Sequence, residues 1–469
     1  MLARKEGAQP EGLSGIYPLG KGEDALASRL ALIESATVSV DAQYYIWHDD
    51  VSGILLLDAL DRAARRGVRV RLLLDDNGVP GMDQTLATLN AQPNFEVRLW
   101  NPSTVRSPKM LGYAFDFARM NRRMHNKSLI SDSTAAIIGG RNIGDEYFQV
   151  GSDDYYLDLD AFAIGAVVAD TVDIFDAYWN SPSVFELERV VSGPGDREAL
   201  AARVAEIRAT EGAREVAEES MQSMRRFMSG EMPLEWTRVQ VVADDPAKGQ
   251  GQAREDQLMI NRVTDMIGGI EKTLDLVSAY FVPGPSGTEF FAGLAGDGRR
   301  VRILTNALDT TDVFLVHAGY AAYRRELLVG GVKLYELKLR GGGSVQRSPT
   351  RPPLPLGLSG ASLHAKTFAI DGRWVYIGSF NFDPRSTLLN TEMGFLIDSP
   401  NMAVRMSERF DERMKYDAYQ PRLTPENKMI WLEEMRDGET VVYQEEPGAG
   451  WFLQIAFAVI GILPVEWLL

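Results

Sequence analysis

Two regions of the chain run through the same succession of hydrophobic and polar patterns. At 37–47, TVSVDAQYYIW alternates like a strand, and SGILLLDALDRAARRG at 52–67 carries apolar residues at helical spacing with Gly67 as its stop. VRVRLLLDD (68–76) then reads as a buried strand and FEVRLW (95–100) as another. The order recurs in KTLDLVSAYFV (272–282), TEFFAGLAGDG (288–298), RRVRILTN (299–306) and GVKLYEL (331–337). A repeat on this scale is a duplicated lobe rather than a solenoid. Strands alternating with helices predict an α/β fold in which each lobe is a mostly parallel sheet flanked by helices. The pattern divides the chain into an N-terminal segment (1–24), a first lobe (25–192), a charged helical connector (193–254), a second lobe (255–425) and a C-terminal segment (426–469). A Gly, Pro and Ser-rich run at 340–360 interrupts the second lobe and is expected to be a mobile loop positioned to gate access.

Composition narrows the chemistry. The 469 residues contain no cysteine, which excludes disulfides, thiolate zinc sites and cysteine nucleophiles. A net charge of −16 argues against indiscriminate binding to nucleic acid. The opening MLARKEGAQP has no apolar run behind its charges, so no signal peptide is visible.

There are four histidines, and two of them sit in matching surroundings. RRMHNKSLISD (122–132) and SLHAKTFAID (362–371) share His-x-Lys with an aspartate five residues after the lysine. In a strand, residues i and i+2 share a face, so His125 and Lys127 point together, as do His364 and Lys366. Asp371-Gly372 predicts a two-residue hairpin turn that sets Ser379 opposite His364 and Asn381 two residues beyond. A turn at Asp132-Ser133 likewise sets Ile138 opposite Lys127 and Gly140 opposite His125, with Asn142 two beyond. Gly139, Gly140, Gly378 and Ser379 are small enough to leave room for a ligand. His48 and His317 lack such surroundings and are read as packing or supporting residues. GKGED at 20–24 is read as a turn, and the NKS sequon at Asn126 as an accident of the motif.

Paired lysines and amides suit phosphate oxygens, and histidine serves as nucleophile or proton carrier near neutral pH. Two histidines divide the labour: one attacks phosphorus, and the other protonates the leaving alcohol and then deprotonates the incoming one. Each imidazole then needs a carboxylate on its far nitrogen. Asp158 and Glu392, on segments read as strands shortly after each motif, are the candidates, with Asp160 on the same face as Asp158. The lysine cations would oppose a divalent ion at the same spot, so neither metal nor cofactor is expected.

HNKSLISDSTAAIIGGRN and HAKTFAIDGRWVYIGSFN resemble the paired HKD motifs of the phospholipase D superfamily. VDAQYYIWHDD, RVRLLLDDNG, GGRNIGDEYF, GSFNFDPRSTLLNTEMGF and LPVEWLL resemble one bacterial branch of it, the C-type cardiolipin synthases. The resemblance implies two pseudo-twofold lobes with one active site at their interface. It implies transfer of a phosphatidyl group onto phosphatidylglycerol, with phosphatidylethanolamine as donor. His125, Lys127, Asn142, His364, Lys366 and Asn381 are then catalytic; within the pair we take His125 as the nucleophile and His364 as the acid and base, an assignment that the duplicated geometry does not itself make. Asp158 and Glu392 orient the histidines, and Asp132 and Asp371 are structural. Phospholipid hydrolysis, or less well nucleic-acid hydrolysis, stands as the alternative, and a silent membrane scaffold as a third reading.

A lipid substrate calls for a membrane surface, reached peripherally at the bacterial inner membrane. Arg106, Lys109, Arg119, Arg122, Arg123 and Lys127 lie against Asp116 alone, which reads either as a headgroup patch or as a solvated face. The tail WFLQIAFAVIGILPVEWLL (451–469) is apolar, but its unbroken core is too short for a bilayer that needs about 20 residues. It reads as an interfacial anchor, or else as a buried terminal helix.

Overall fold

The computed structural model describes residues 11–106, 108–151, 155–229, 233–338 and 361–449. The run 340–360 and the tail 451–469, on which the gate and the anchor were read, lie outside them.

Two large sheets carry the chain. In the first, strands Ser39–Tyr44, Arg69–Asp75 and Phe95–Trp100 run parallel, joined by helices Val51–Arg65 and Asp83–Asn90. The second repeats this with Thr273–Ser278, Arg300–Asn306 and Lys333–Leu337, joined by helices Gly284–Gly296 and Phe314–Val329. Local signals agree with packing here: Asp50 caps its helix by accepting from Gly53 N at 2.9 Å, and Gly67 leaves it at a φ of 94° that suits glycine. The apolar stripe, including Leu56, Leu57 and Leu60, is buried against Val40, Leu72 and Leu74 of the sheet.

Beyond these three strands the sheets are mixed rather than mostly parallel. The hairpins Ser128–Ser131/Ala135–Gly139 and Lys366–Ile370/Trp374–Gly378 add antiparallel, and Asp160–Gly165 and Met393–Asp398 continue antiparallel beside them. The reason is connection length: a helix returns the chain for a parallel strand, whereas a tight turn allows only the antiparallel one.

The sheets also take in the flanking segments. Ser14–Leu19, from the N-terminal segment, pairs with Asp160–Gly165, and Met429–Glu434 and Thr440–Tyr443, from the C-terminal segment, extend the second sheet. The connector ends in Glu235–Thr237 on the first sheet and Val239–Ala243 on the second, so the chain changes sheet at Arg238.

The two lobes share a core. Ile138, Ala161 and Ala163 of the first sheet pack with Ala369, Val375, Ile377, Phe395 and Ile397 of the second. The strands that pack here are the strands that follow the two histidine motifs, so lobe association brings the motifs together.

Both motif turns have three residues, not two. Ser131 pairs with Ala135 across Asp132, Ser133 and Thr134, and Ile370 with Trp374 across Asp371, Gly372 and Arg373. The register is therefore one residue from the expected one: Ile138 faces Ser128, and Ile377 faces Thr367. Asp132 and Asp371 take left-handed φ values of 50° and 53° and turn their carboxylates onto backbone N–H groups. Asp371 accepts from Glu271, Lys272 and Thr273 at 2.8–2.9 Å, and Asp132 from Thr37, Val38 and Ser39 at 2.8–3.2 Å. Those bonds favour the ionised form and hold both carboxyls below the usual range. Asp371→Ala is expected to cost about 1–3 kcal/mol, read as a lower urea midpoint, while the folded fraction retains its turnover.

Candidate active site

Each motif histidine precedes its hairpin, on a segment bound to the opposite half. Met124 bridges Thr391 in parallel, and His125 N donates to Thr391 O at 2.9 Å. Ser362–Leu363 pairs in parallel with Tyr156–Leu157, and His364 N donates to Leu157 O at 2.8 Å. The residues after these crossing points are Glu392 and Asp158, both just outside strands. His125 Nδ1 consequently lies 2.8 Å from Glu392 Oε2, and His364 Nδ1 lies 2.5 Å from Asp158 Oδ2. Each carboxylate follows its own motif in sequence but serves the histidine of the other half. With Nδ1 held, Nε2 is the nitrogen left to meet a ligand. Asp160 is not part of this arrangement; it binds Arg29 Nη2 at 2.9 Å and Arg141 Nη1 at 3.3 Å.

Glu392 is fully buried and held from behind. Ser379 Oγ donates to Oε2 at 2.5 Å and Ser386 Oγ to Oε1 at 2.8 Å, while Glu392 N donates to Asp244 Oδ2 at 2.9 Å. Asp158 Oδ1 accepts from Leu159 N at 2.7 Å. Where the second copy has Ser379, the first has Gly140, at which a Cβ would come within 2.2 Å of Asp158 Oδ1. Gly139 is crowded in the same way by Asp160 and Gly378 by Tyr376, so these small residues make room for protein groups rather than for a ligand.

Lys127 and Lys366 are buried, and each donates to the carbonyl of the histidine two residues before it, at 2.6 Å for Lys127. Tyr45 covers Lys127 at 5.6 Å and Tyr280 covers Lys366 at 5.9 Å. The Asn142 amide is engaged by Ile46 N at 3.1 Å and by the Tyr147 hydroxyl at 3.0 Å. The buried Asn381 Oδ1 has no hydrogen-bond partner among the described residues.

Sequence reading missed several groups around this centre. Asp75 accepts from Met124 N at 2.8 Å and pairs with Arg123, and Asn306 makes two 2.9 Å bonds to Leu363, so a polar residue steadies the segment before each histidine. Both end the second strand of their lobe, at the carboxyl edge where open α/β sheets gather their ligands; a charge or amide closing an apolar strand was the available signal. Tyr147 and Tyr156 flank the His364 ring at 5.2 and 5.0 Å between centroids.

Burial pushes the His125 pKa down to about 4 and that of His364 to about 3, and the two lysine cations add to the effect. Both imidazoles are therefore neutral at pH 7. Their carboxylates go the other way: the paired histidines hold Glu392 and Asp158 below the usual range against the opposing effect of burial. Lys366 falls to about 8 through burial. The unfolded chain takes up protons on histidine as pH drops below about 6.5, whereas the folded site resists down to about 4. Stability is thus present above pH 6.5 and lost through that window. Urea midpoints should fall between pH 7 and pH 5, and less so in a His125→Gln/His364→Gln double variant.

The two remaining histidines sit apart. His317 is buried, with Nε2 2.6 Å from Glu446. His48 is not packed inside: its side chain is 42% exposed and pairs with Glu146 at 3.1 Å. With Asp50 these two form the one group able to gather a metal ion among the described residues, outside the motifs.

Nor is the basic run an open patch. Arg106 and Lys109 bind Asp76 at 2.7 and 3.0 Å, Arg119 binds Asp116 at 2.6 Å, and Arg123 binds Asp75 at 2.9 Å. What its helix Met110–Met120 exposes is apolar: Leu111 at 51% and Phe115 at 85%.

The chain matches the family described as "Cardiolipin synthase, PLD-like domain" at residues 30–179 and 263–414, one match on each lobe. It is 45% identical over 466 residues to cardiolipin synthase C of Escherichia coli (strain K12), covering 98% of both chains. It is 25% identical over 417 residues to a cardiolipin synthase of Listeria monocytogenes serotype 4a, covering 88% of this chain and 71% of that one. Among solved structures, phosphatidylserine synthase of Haemophilus influenzae Rd KW20 superimposes with a TM-score of 0.57 at 17% identity, over 86% of this chain and 87% of that one, which is a likeness of fold. With a whole-length relative and a family match on each half, this chain belongs to the phospholipase D-like cardiolipin synthases and is a phosphatidyltransferase of that superfamily.

Proposed function

We propose that the protein makes cardiolipin by transferring a phosphatidyl group from phosphatidylethanolamine to phosphatidylglycerol through a phosphohistidine. The observation that carries this is the pair of buried histidines, each held at Nδ1 by a carboxylate from the other half, with two buried lysines that act on both. His125 Nε2 attacks phosphorus while the bond from phosphorus to the headgroup oxygen breaks, and His364 Nε2–H protonates that oxygen. The hydroxyl of phosphatidylglycerol then loses its proton to His364 and attacks phosphorus, and the phosphorus–nitrogen bond breaks to restore His125. Lys127 and Lys366, with the Asn142 and Asn381 amides, stabilise the charge on the phosphoryl oxygens. Burial first and Lys366 next hold the His364 pKa low, so an anionic phosphodiester beside that lysine raises it, and the imidazole that is neutral in the free site takes up its Nε2 proton when the donor binds.

The test is purified enzyme in vesicles of phosphatidylethanolamine and phosphatidylglycerol, with products followed by mass spectrometry. Cardiolipin with free ethanolamine is expected. Cardiolipin with free glycerol keeps the transferase and changes the donor, whereas phosphatidic acid as the dominant product makes the enzyme a hydrolase.

Its place is the surface of the bacterial inner membrane, reached peripherally. No helix among the described residues is long and apolar enough to cross a bilayer. Leu111 and Phe115, on the helix that leads to Arg122, supply an apolar contact, and Arg122 reaches the carbonyl of Leu388, itself 59% exposed. A Leu111→Ser/Phe115→Ser variant is expected to bind phosphatidylglycerol vesicles at least about tenfold more weakly in a flotation assay. Equal flotation would move the contact elsewhere.

A further inference from the structure

Near Lys366, and linked to His364 through the Tyr156 side chain, stands a carboxylate that the reaction above does not use. Asp312 accepts from the Tyr280 hydroxyl at 2.6 Å and from the Tyr156 hydroxyl at 3.2 Å, both through Oδ2. Its other oxygen, Oδ1, is buried with no hydrogen-bond partner among the described residues. Leaving a buried carboxylate oxygen unmatched is costly, and the cost is recovered only if a donor arrives. The surroundings state what kind. Tyr147 and Tyr156 pack at 4.8 Å from one another and flank His364, and Tyr280 lies over Lys366. Three aromatic rings with one carboxylate suit a small cation, through ring faces and a charge-assisted hydrogen bond. The other side of the site differs: the tyrosine over Lys127 is Tyr45, whose hydroxyl meets the neutral amide of Asn77, and the carboxylate near it, Asp75, is already matched by Arg123 and by Met124 N.

We infer that Asp312, with Tyr156 and Tyr280, is the headgroup subsite for a leaving alcohol that carries a primary ammonium, and that it sets donor specificity. This rests on the reading of His364 as the acid that protonates the leaving oxygen. An ethanolamine headgroup whose oxygen is at His364 can turn its ammonium to Asp312 Oδ1, so that the carboxylate is matched only while such a donor is bound. A quaternary ammonium has no N–H to give that oxygen, and a neutral alcohol offers a hydrogen bond without charge.

The test measures headgroup release from phosphatidylethanolamine and from phosphatidylethylene glycol, which puts a hydroxyl where the ammonium was. Headgroup release reports the donor step whether water or a lipid alcohol later takes the phosphatidyl group. The fate of that group therefore tests the transferase reading separately. The wild type is expected to favour the ethanolamine lipid by at least about tenfold in kcat/KM, and Asp312→Asn to bring the two within about threefold. Should Asp312→Asn lose its melting transition, Tyr280→Phe, which removes one of the two hydroxyls holding the carboxylate, is expected to narrow the preference in the same sense. A wild type indifferent between the two lipids, or a folded variant with its preference intact, overturns the subsite.

Discussion

His125→Gln is expected to leave no measurable phosphatidyl transfer, a loss of at least about four orders of magnitude, while the protein still folds and binds vesicles. Glutamine keeps a polar group near Glu392 but supplies no nitrogen that can hold phosphorus covalently. The phospho-enzyme should vanish with the activity, and mass spectrometry of an acid-avoiding quench of the wild type should place the adduct on His125. His364→Gln should differ in kind. Its nucleophile is intact, so a donor with a good leaving group such as p-nitrophenol, which needs no proton, should still phosphorylate His125 in a burst that stalls before turnover. A burst in the His125 variant and none in the His364 variant reverses the two roles. The carboxylates alone cannot separate the two roles, since both imidazoles are held in the same way at Nδ1.

Glu392→Gln is expected to lower kcat by about two to four orders of magnitude with a much smaller change in KM. The amide oxygen can still accept from one of Ser379 and Ser386, which donate to the carboxylate at 2.5 and 2.8 Å, and its NH2 can donate to the other hydroxyl, so the cavity stays filled and the fold persists. It can no longer hold the imidazolium-like charge that builds on His125 as the bond to phosphorus forms. Glu392 also raises the His125 pKa against burial, so the variant should carry a still lower value, read by the imidazole carbon shifts in an NMR titration. Because the carboxylate comes from the second half and the histidine from the first, the same defect should appear in any variant that loosens the lobe interface, for instance a bulky replacement of Ala163 or Ala369. A Glu392→Gln enzyme with wild-type kcat would show that this contact only positions the backbone.

The site was legible in sequence where chemistry and short spacing coincide. His-x-Lys followed by an aspartate carries its meaning locally, because two residues along an extended chain keep one direction whatever surrounds them. That the motif occurs twice, on lobes with matching strand and helix order, made a working pair of histidines readable without coordinates, while the single site at the lobe interface was what the resemblance to the phospholipase D superfamily implied. Register was less accessible. A three-residue turn in place of a two-residue one depended on Asp132 and Asp371 binding backbone N–H groups some 95 to 100 residues away, at Thr37 and Glu271, which no local propensity encodes.

Legible along the chain were the duplicated α/β pattern and the side chains offered as carriers of charge and protons: two histidines, two lysines, two amides and two carboxylates. How they are shared between the halves was set by packing. The strands after each motif are apolar on the face that meets the other lobe, from Ile138 and Ala163 to Ile377 and Phe395, so burying them draws Glu392 to His125 and Asp158 to His364. The same association buried Lys127 and Lys366 and left one oxygen of Asp312 unmatched among the described residues, whereas pairs within the first lobe closed the basic run. Pattern along a chain reports which face of an element is apolar; which other face it meets, and which charges lose their water as a result, is set by packing between segments far apart in sequence.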